Sequence, residues 1–303
     1  MRVALIGLGE VGRTLAEDLC GHELSAWDLK FSDPASPASR NAAVLGIAPS
    51  PSATAAASGA ELIVSAVTAA NDLAAAQTVA SGIAEGAFFL DLNSASPSQK
   101  QASASVIDGA RGRYVEAAVM SPIYPKRIAA PMLLGGPHAS AFVQVARPLG
   151  FAGGEVFSDE VGKASATKMC RSVVIKGVEA LLTESMLAAR AYGVEDEVLA
   201  SLSNLLPNDD WPKLAAYMIS RALEHGERRA EEMREAARTV AETGIAPLMA
   251  TATAERQDFS AQFRDALSGG DVAGMVDAIR LRMGGVDTST ELREEAFKRN
   301  VPA

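Results

Sequence analysis

A chain of 303 residues, 48% hydrophobic and 21% charged, is long enough for two domains with sizeable cores and has the balance of a globular protein. Its net charge of −9 argues against general nucleic-acid binding. No apolar run reaches the roughly 18–20 residues of a membrane span, so no membrane partner is expected.

The first six residues are already strand-like and carry no cleavage-site pattern, so no signal peptide is expected. The two cysteines, Cys20 and Cys170, lie far apart, and the three histidines, His22, His138 and His225, do not pair at helical spacing. Neither a metal site nor a Ser-His-Asp triad is expected, and the cysteine usage suits a reduced, cytoplasmic protein.

Val3–Ile6 reads as a strand and Val11–Cys20 as a helix, with GLGEVG between them. Glycine weakens regular structure, so three of them at this junction mark a need for bare backbone. Gly7 permits the tight turn, Gly9 lets backbone approach a pyrophosphate, and Gly12 allows close helix–strand packing. Gly7, Leu8, Gly9, Glu10, Val11 and Gly12 therefore form the expected cofactor cradle, with the phosphates at the positive end of the helix. A second strand, Leu24–Asp28, ends in a carboxylate sixteen residues after Gly12. Asp28 there suits the ribose hydroxyls of NAD, while Lys30 and Arg40 nearby leave NADP open. The Pro-, Ala- and Ser-rich stretch 32–58 reads as a loop plus a weak helix.

Further strands are expected at Leu62–Val67, Ala87–Leu92, Tyr114–Val119 and Met132–Leu134, with helical segments between. This alternation predicts a parallel, doubly wound α/β sheet of Rossmann type. Val67 and Thr68, at the end of the third strand, are counted with the cofactor edge. Asn93, Ser94 and Ser96 follow the fourth strand, where ligands bind in open α/β sheets. Asn93 and Ser94 are candidates for a nicotinamide ribose or a substrate carboxylate, and Ser96–Pro97 also reads as a helix start. After the fifth strand, Lys126 and Arg127 are either carboxylate ligands or solvated loop cations.

From about Gly162 no strand pattern appears, which places a boundary near residue 160: a nucleotide-binding domain over 1–160 and an all-α domain over 161–303. Residues 164–190 predict a long, buried helix. On it Ser165, Lys168, Ser172 and Glu179 form one polar stripe. Lys168 reads either as a general acid/base or as half of a salt bridge, to Glu179 or to an acid of the first domain. Residues 222–242 predict a second amphipathic helix, on which His225, Arg228 and Arg229 read as a solvated face. Trp211 reads as a packed anchor at a helix start.

Taken in order over residues 1–190, these segments resemble the β-hydroxyacid dehydrogenase superfamily, which includes 3-hydroxyisobutyrate and 6-phosphogluconate dehydrogenases. GLGEVG matches the cofactor loop, and DLNSASP matches D-x-S-T-x-x-P, with Asn93 and Ser94 on the Ser-Thr pair. VMSP falls on V-S-G-G, and VGKASATKMCRS matches G-x-G-x-x-x-K-x-x-x-N. HGERRAEEMREAARTV resembles the branch with a phosphogluconate-dehydrogenase-like C-terminal domain. The resemblance implies an NAD- or NADP-dependent oxidoreductase acting on a small-molecule hydroxy acid, with Lys168 as acid/base, residues 191–303 as a substrate and homodimerisation domain, and, as the alternative to a solvated face, His225, Arg228 and Arg229 reaching a partner's site. Met120, Ser172 and Ala164 depart from the family pattern; Ser121 is then the substrate-orienting serine and Ser172 the support for Lys168. Imine reduction on the same scaffold and a non-catalytic nicotinamide sensor are the alternatives.

Overall fold

The computed structural model describes residues 1–202, 208 and 210–284. Contacts divide them into two units. One joins Met1–Arg171 with Glu235–Ala246, and the other joins Ser172–Arg234 with the chain from Pro247 onward.

In the first unit strands and helices alternate: β1 (Arg2–Ile6), α1 (Glu10–Asp18), β2 (Glu23–Trp27), α2 (Pro37–Leu45), α3 (Ala53–Ala57), β3 (Leu62–Ser65), α4 (Asp72–Ala80), β4 (Phe88–Asp91), α5 (Pro97–Gly109), β5 (Arg113–Val119), β6 (Met132–Gly135), α6 (Ala139–Ala146) and β7 (Gly154–Ser158). The sheet order is β2-β1-β3-β4-β5-β6-β7. Pairing is parallel except between β5 and β6. Successive strand residues face opposite sides. Val3, Leu5, Leu62, Val64 and Leu90 pack with α1, α2 and α6, while Ala4, Ile6, Ile63 and Phe89 pack with α3, α4 and α5. From β1 the chain goes to β2 on one side and then crosses back over β1 to β3 on the other. The end of β1 is therefore the switch point of the sheet, and the glycine loop lies there.

One expectation needs correction, and one strand was missed. β6 is antiparallel to β5, because no crossover helix intervenes between them. β7 was not legible in the sequence: it is an edge strand whose Glu155, Val156 and Phe157 are exposed, so it shows no buried run.

The helical part comprises α7 (Lys163–Tyr192), α8 (Glu195–Leu202), α9 (Trp211–Ala241), α10 (Leu248–Ala261) and α11 (Val272–Arg282). In the second unit Leu182, Met186, Trp211, Ile219, Leu223, Phe263 and Val276 form one core. Trp211 opens α9 and is buried, as expected of an anchor. A Cβ on Gly226 would lie 2.6 Å from Gln257 O, so glycine there lets α9 lie close against α10. Among the described residues no helix is long and apolar enough to cross a membrane.

Candidate active site

The glycine loop is built by sterics. Gly7 has φ +94°, and a Cβ on it would lie 2.5 Å from Ala66 O. A Cβ on Gly12 would lie 2.0 Å from Gly7 O, so only glycine lets α1 start this close to the turn. A Cβ on Gly9 would meet nothing within 4 Å. Gly9 is exposed and is the N-cap of α1 without a side-chain cap, so the first amides of α1 remain open to a ligand.

Asp28 directly follows β2, beside this loop. Its Oδ2 accepts from Leu8 N at 2.8 Å and its Oδ1 from Lys30 N at 2.8 Å. Each oxygen keeps lone pairs for ribose hydroxyls. Lys30 is exposed, and Arg40 turns to Ala35 O. Asn41, which sequence reasoning missed, donates to Leu8 O at 2.9 Å and steadies the loop. The open face at Gly9, the uncapped amides and the Asp28 carboxylate fit a dinucleotide.

Across the sheet, Asn93 is buried. Its Oδ1 accepts from Val67 N at 2.7 Å, and its Nδ2 donates to Ser65 Oγ at 2.9 Å and to Asp72 Oδ1 at 2.6 Å. Thr68 Oγ1 accepts from Asn71. Behind Asn93 lies a fully buried polar group. Lys100 Nζ is 2.6 Å from Asp91 Oδ1, Tyr114 OH donates to Asp91 Oδ2 at 2.6 Å, and Ser103 Oγ donates to Asp72 Oδ2 at 3.3 Å. Burial and then the Asp91 charge push the Asp72 carboxyl up to about 7, against the pull of Lys100. Burial works against the Lys100 ammonium, but the two carboxylates overcome it and hold its pKa above the ordinary lysine value. Burial and Asp91 also raise the Tyr114 phenol.

Ser94 and Lys168 come together: Lys168 Nζ donates to Ser94 Oγ at 2.7 Å. Lys168 is half-buried rather than fully buried as its helix pattern suggested. The start of α7, which carries it, is held from β5. Glu116, buried, accepts from Gly162 N at 2.7 Å and from Ser165 N at 2.6 Å. A carboxylate at the positive end of a helix is favourable, and a Cβ on Gly135 would crowd it at 2.5 Å. Ser96 is the N-cap of α5, but its side chain does not cap. Instead Glu235 accepts from Ser96 N at 2.8 Å, and Ser98 donates to Glu242 at 2.5 Å.

Ser121 is partly exposed and donates to Pro122 O at 2.9 Å. Arg127 does not serve as an open carboxylate ligand: it pairs with Glu17 at 2.9 Å and Asp18 at 2.8 Å, tying its loop to α1. Tyr124 OH adds a bond from Thr14 at 3.1 Å. Lys126 is exposed.

In the second unit Ser172 Oγ accepts from Lys176 Nζ at 3.3 Å, and Lys176 pairs with Glu232 at 2.7 Å. Glu179 pairs with Arg229 through both carboxylate oxygens and takes a bond from Gln257 at 3.3 Å. Arg229 is therefore buried and paired rather than part of a solvated face, whereas Arg228 stays exposed beside Glu232. His225 sits where α9 breaks helical geometry (φ −125°, ψ 16°). Burial, and then Arg221, hold its pKa below the ordinary histidine value. Among the described residues no group of His, Cys, Asp or Glu is placed to hold a metal ion.

Residues 2–157 match the model of the NAD binding domain of 6-phosphogluconate dehydrogenase, and residues 189–259 match a domain of unknown function, DUF1932. The chain belongs to the β-hydroxyacid dehydrogenase-like superfamily. A conserved hypothetical protein from Sinorhizobium meliloti 1021 is 36% identical, with TM-score 0.71 over 93% of this chain and 96% of that one. A conserved protein of unknown function, whose structure was described as similar to 3-hydroxyacid dehydrogenases, is 31% identical, with TM-score 0.65 over 86% of this chain and 97% of that one. Mycobacterium tuberculosis 3-hydroxyisobutyrate dehydrogenase, at 18% identity and TM-score 0.66 over 92% of this chain and 98% of that one, shares the fold. An uncharacterized 28.5 kDa protein from Methanothermus fervidus is 28% identical over 168 residues, 54% of this chain and 62% of that protein. The superfamily is one of dehydrogenases and reductases that use a nicotinamide cofactor.

Proposed function

We propose that this protein interconverts a hydroxy acid and the matching aldehyde or ketone, with Lys168 as the proton-transfer group. The observation that carries this reading is the 2.7 Å bond from Lys168 Nζ to Ser94 Oγ, in the same unit as the glycine loop. The nicotinamide cofactor, held by residues 7–12, Asp28, Val67 and Thr68, supplies the hydride acceptor or donor. The Asp28 carboxylate repels a 2′-phosphate, which favours NAD over NADP. Lys168 gives a proton to the alkoxide oxygen in the reducing direction and takes it back in the oxidising one. Ser94, already within hydrogen-bond reach of Lys168, and Ser121 orient the substrate carboxylate and hydroxyl. Ser172, one turn further along α7, keeps the helix face beside Lys168 polar.

In this reading residues 1–160 bind the cofactor and 161–303 bind substrate and pair two chains. A homodimer is supported by a stripe on α7 in which Val174 (64% exposed), Leu181 (70%) and Tyr192 (68%) recur at helical spacing. Cys20 and Cys170 are exposed free thiols, which suits the reducing cytoplasm.

The test is a panel of hydroxy acids assayed for reduction of NAD and of NADP, with aldehydes and keto acids assayed in reverse. The expected result is NAD-preferring turnover that falls by a factor of at least about 10² in Lys168→Ala, with cofactor affinity kept within about threefold. Undiminished turnover in Lys168→Ala would remove the lysine from the chemistry.

A further inference from the structure

Asn93 stands where a ribose or substrate ligand is expected, yet its amide is already committed. Both Nδ2 hydrogens are donated, to Ser65 and Asp72, and Oδ1 takes the Val67 amide. The residue is 4% exposed. We propose that Asn93 and Asp72 are a positioning pair: Asp72 orients the Asn93 amide, and Asn93 pins Val67 at the cofactor edge and holds the next residue, Ser94, in place for Lys168. This rests on the reading that the glycine loop holds a nicotinamide cofactor.

Two further observations support the pair. Val67 forms part of the wall behind the glycine turn, since a Cβ on Gly7 would lie 3.1 Å from Val67 Cγ1 and 2.5 Å from Ala66 O. A shift of Val67 therefore moves the surface against which the turn closes. Asp72 is also engaged from α5, β4 and β5: Ser103 donates to its Oδ2 at 3.3 Å, Lys100 attracts its charge, and Asp91 and Tyr114 interact with it electrostatically. Burial and Asp91 raise the Asp72 carboxyl to about 7, so it takes a proton readily near neutrality while Oδ1 still accepts from Asn93. An amide at position 72 imitates that protonated form.

The experiment exchanges the two groups in the full-length chain and measures NADH and NADPH affinity by calorimetry from pH 6 to 8. Asp72→Asn stays within about threefold of wild type, because the acceptor for Asn93 is kept. Asn93→Asp sets two carboxylates face to face. It weakens binding by about tenfold or more at pH 8 and recovers toward pH 6, where the pair shares a proton. The double variant N93D/D72N restores one donor and one acceptor, and binds within about threefold of wild type at pH 8. If Asn93→Asp does not fold, the double variant decides alone: folding together with wild-type affinity supports the pair, and folding without that affinity overturns it. Wild-type affinity in Asn93→Asp at pH 8 likewise overturns the pair. A wild-type chain that binds neither NADH nor NADPH removes the cofactor reading itself, a failure seen before any variant is made.

Discussion

Gly9, the N-cap of α1, and Gly12, inside its first turn, sit three residues apart, yet alanine at each should fail in a different way. At Gly12 the new methyl would stand 2.0 Å from Gly7 O, a backbone atom that cannot step aside. Overpacking of this kind costs up to about 3 kcal/mol, and the better helix propensity of alanine returns about 1. The net loss of about 2 kcal/mol lowers Tm by about 4–8 °C in a unit of this size. At Gly9 the backbone (φ −72°, ψ −153°) suits alanine and its methyl meets nothing within 4 Å. Stability should change by less than about 0.5 kcal/mol. That open space is where we place the pyrophosphate, so Gly9→Ala should weaken NADH and NADPH binding by at least about tenfold, or about 1.4 kcal/mol. Thermal melts and calorimetry on the same three proteins read both effects. A Gly9→Ala protein with wild-type cofactor affinity would refute the placement, and an unshifted Tm in Gly12→Ala would refute the close approach of α1.

Arg229→Met should leave the buried Glu179 carboxylate without its counter-charge and cost about 3–5 kcal/mol in urea unfolding, while Arg229→Lys recovers part of it. A loss under about 1 kcal/mol would mean that the pair is not buried in solution. Leu181→Glu, at an exposed site, should halve the mass seen by light scattering with little change in Tm; a dimer that survives it does not use the α7 stripe.

The parts legible in the sequence were those with local pattern. The glycine loop announces itself through spacing and context, the central strands through short apolar runs, and Lys168 through a motif. What stayed hidden was assembled from distant pieces. Asp72 and Lys100 lie on different helices, and only the β–α crossovers bring them to Asp91 and Asn93. Glu116 looks like one charge in a strand until the sheet aims it at the first turn of α7. Of the salt-bridge partners that the sequence left open to Lys168, Glu179 is ruled out by length: eleven residues of helix span about 16 Å, far beyond a salt bridge, although both lie on nearly the same face. Arg229 takes Glu179 instead, from a segment fifty residues away.

The Glu116 anchor also bears on how such a protein can be re-engineered. The helix carrying Lys168 takes its starting register from the sheet, through the amides of Gly162 and Ser165, rather than from anything further along the chain. Lys168 and Ser94 are thus fixed from the same side of the molecule. A graft that keeps the whole first unit, Met1–Arg171 with Glu235–Ala246, therefore inherits the Lys168–Ser94 hydrogen bond, and a new helical domain joined to it leaves that bond in place.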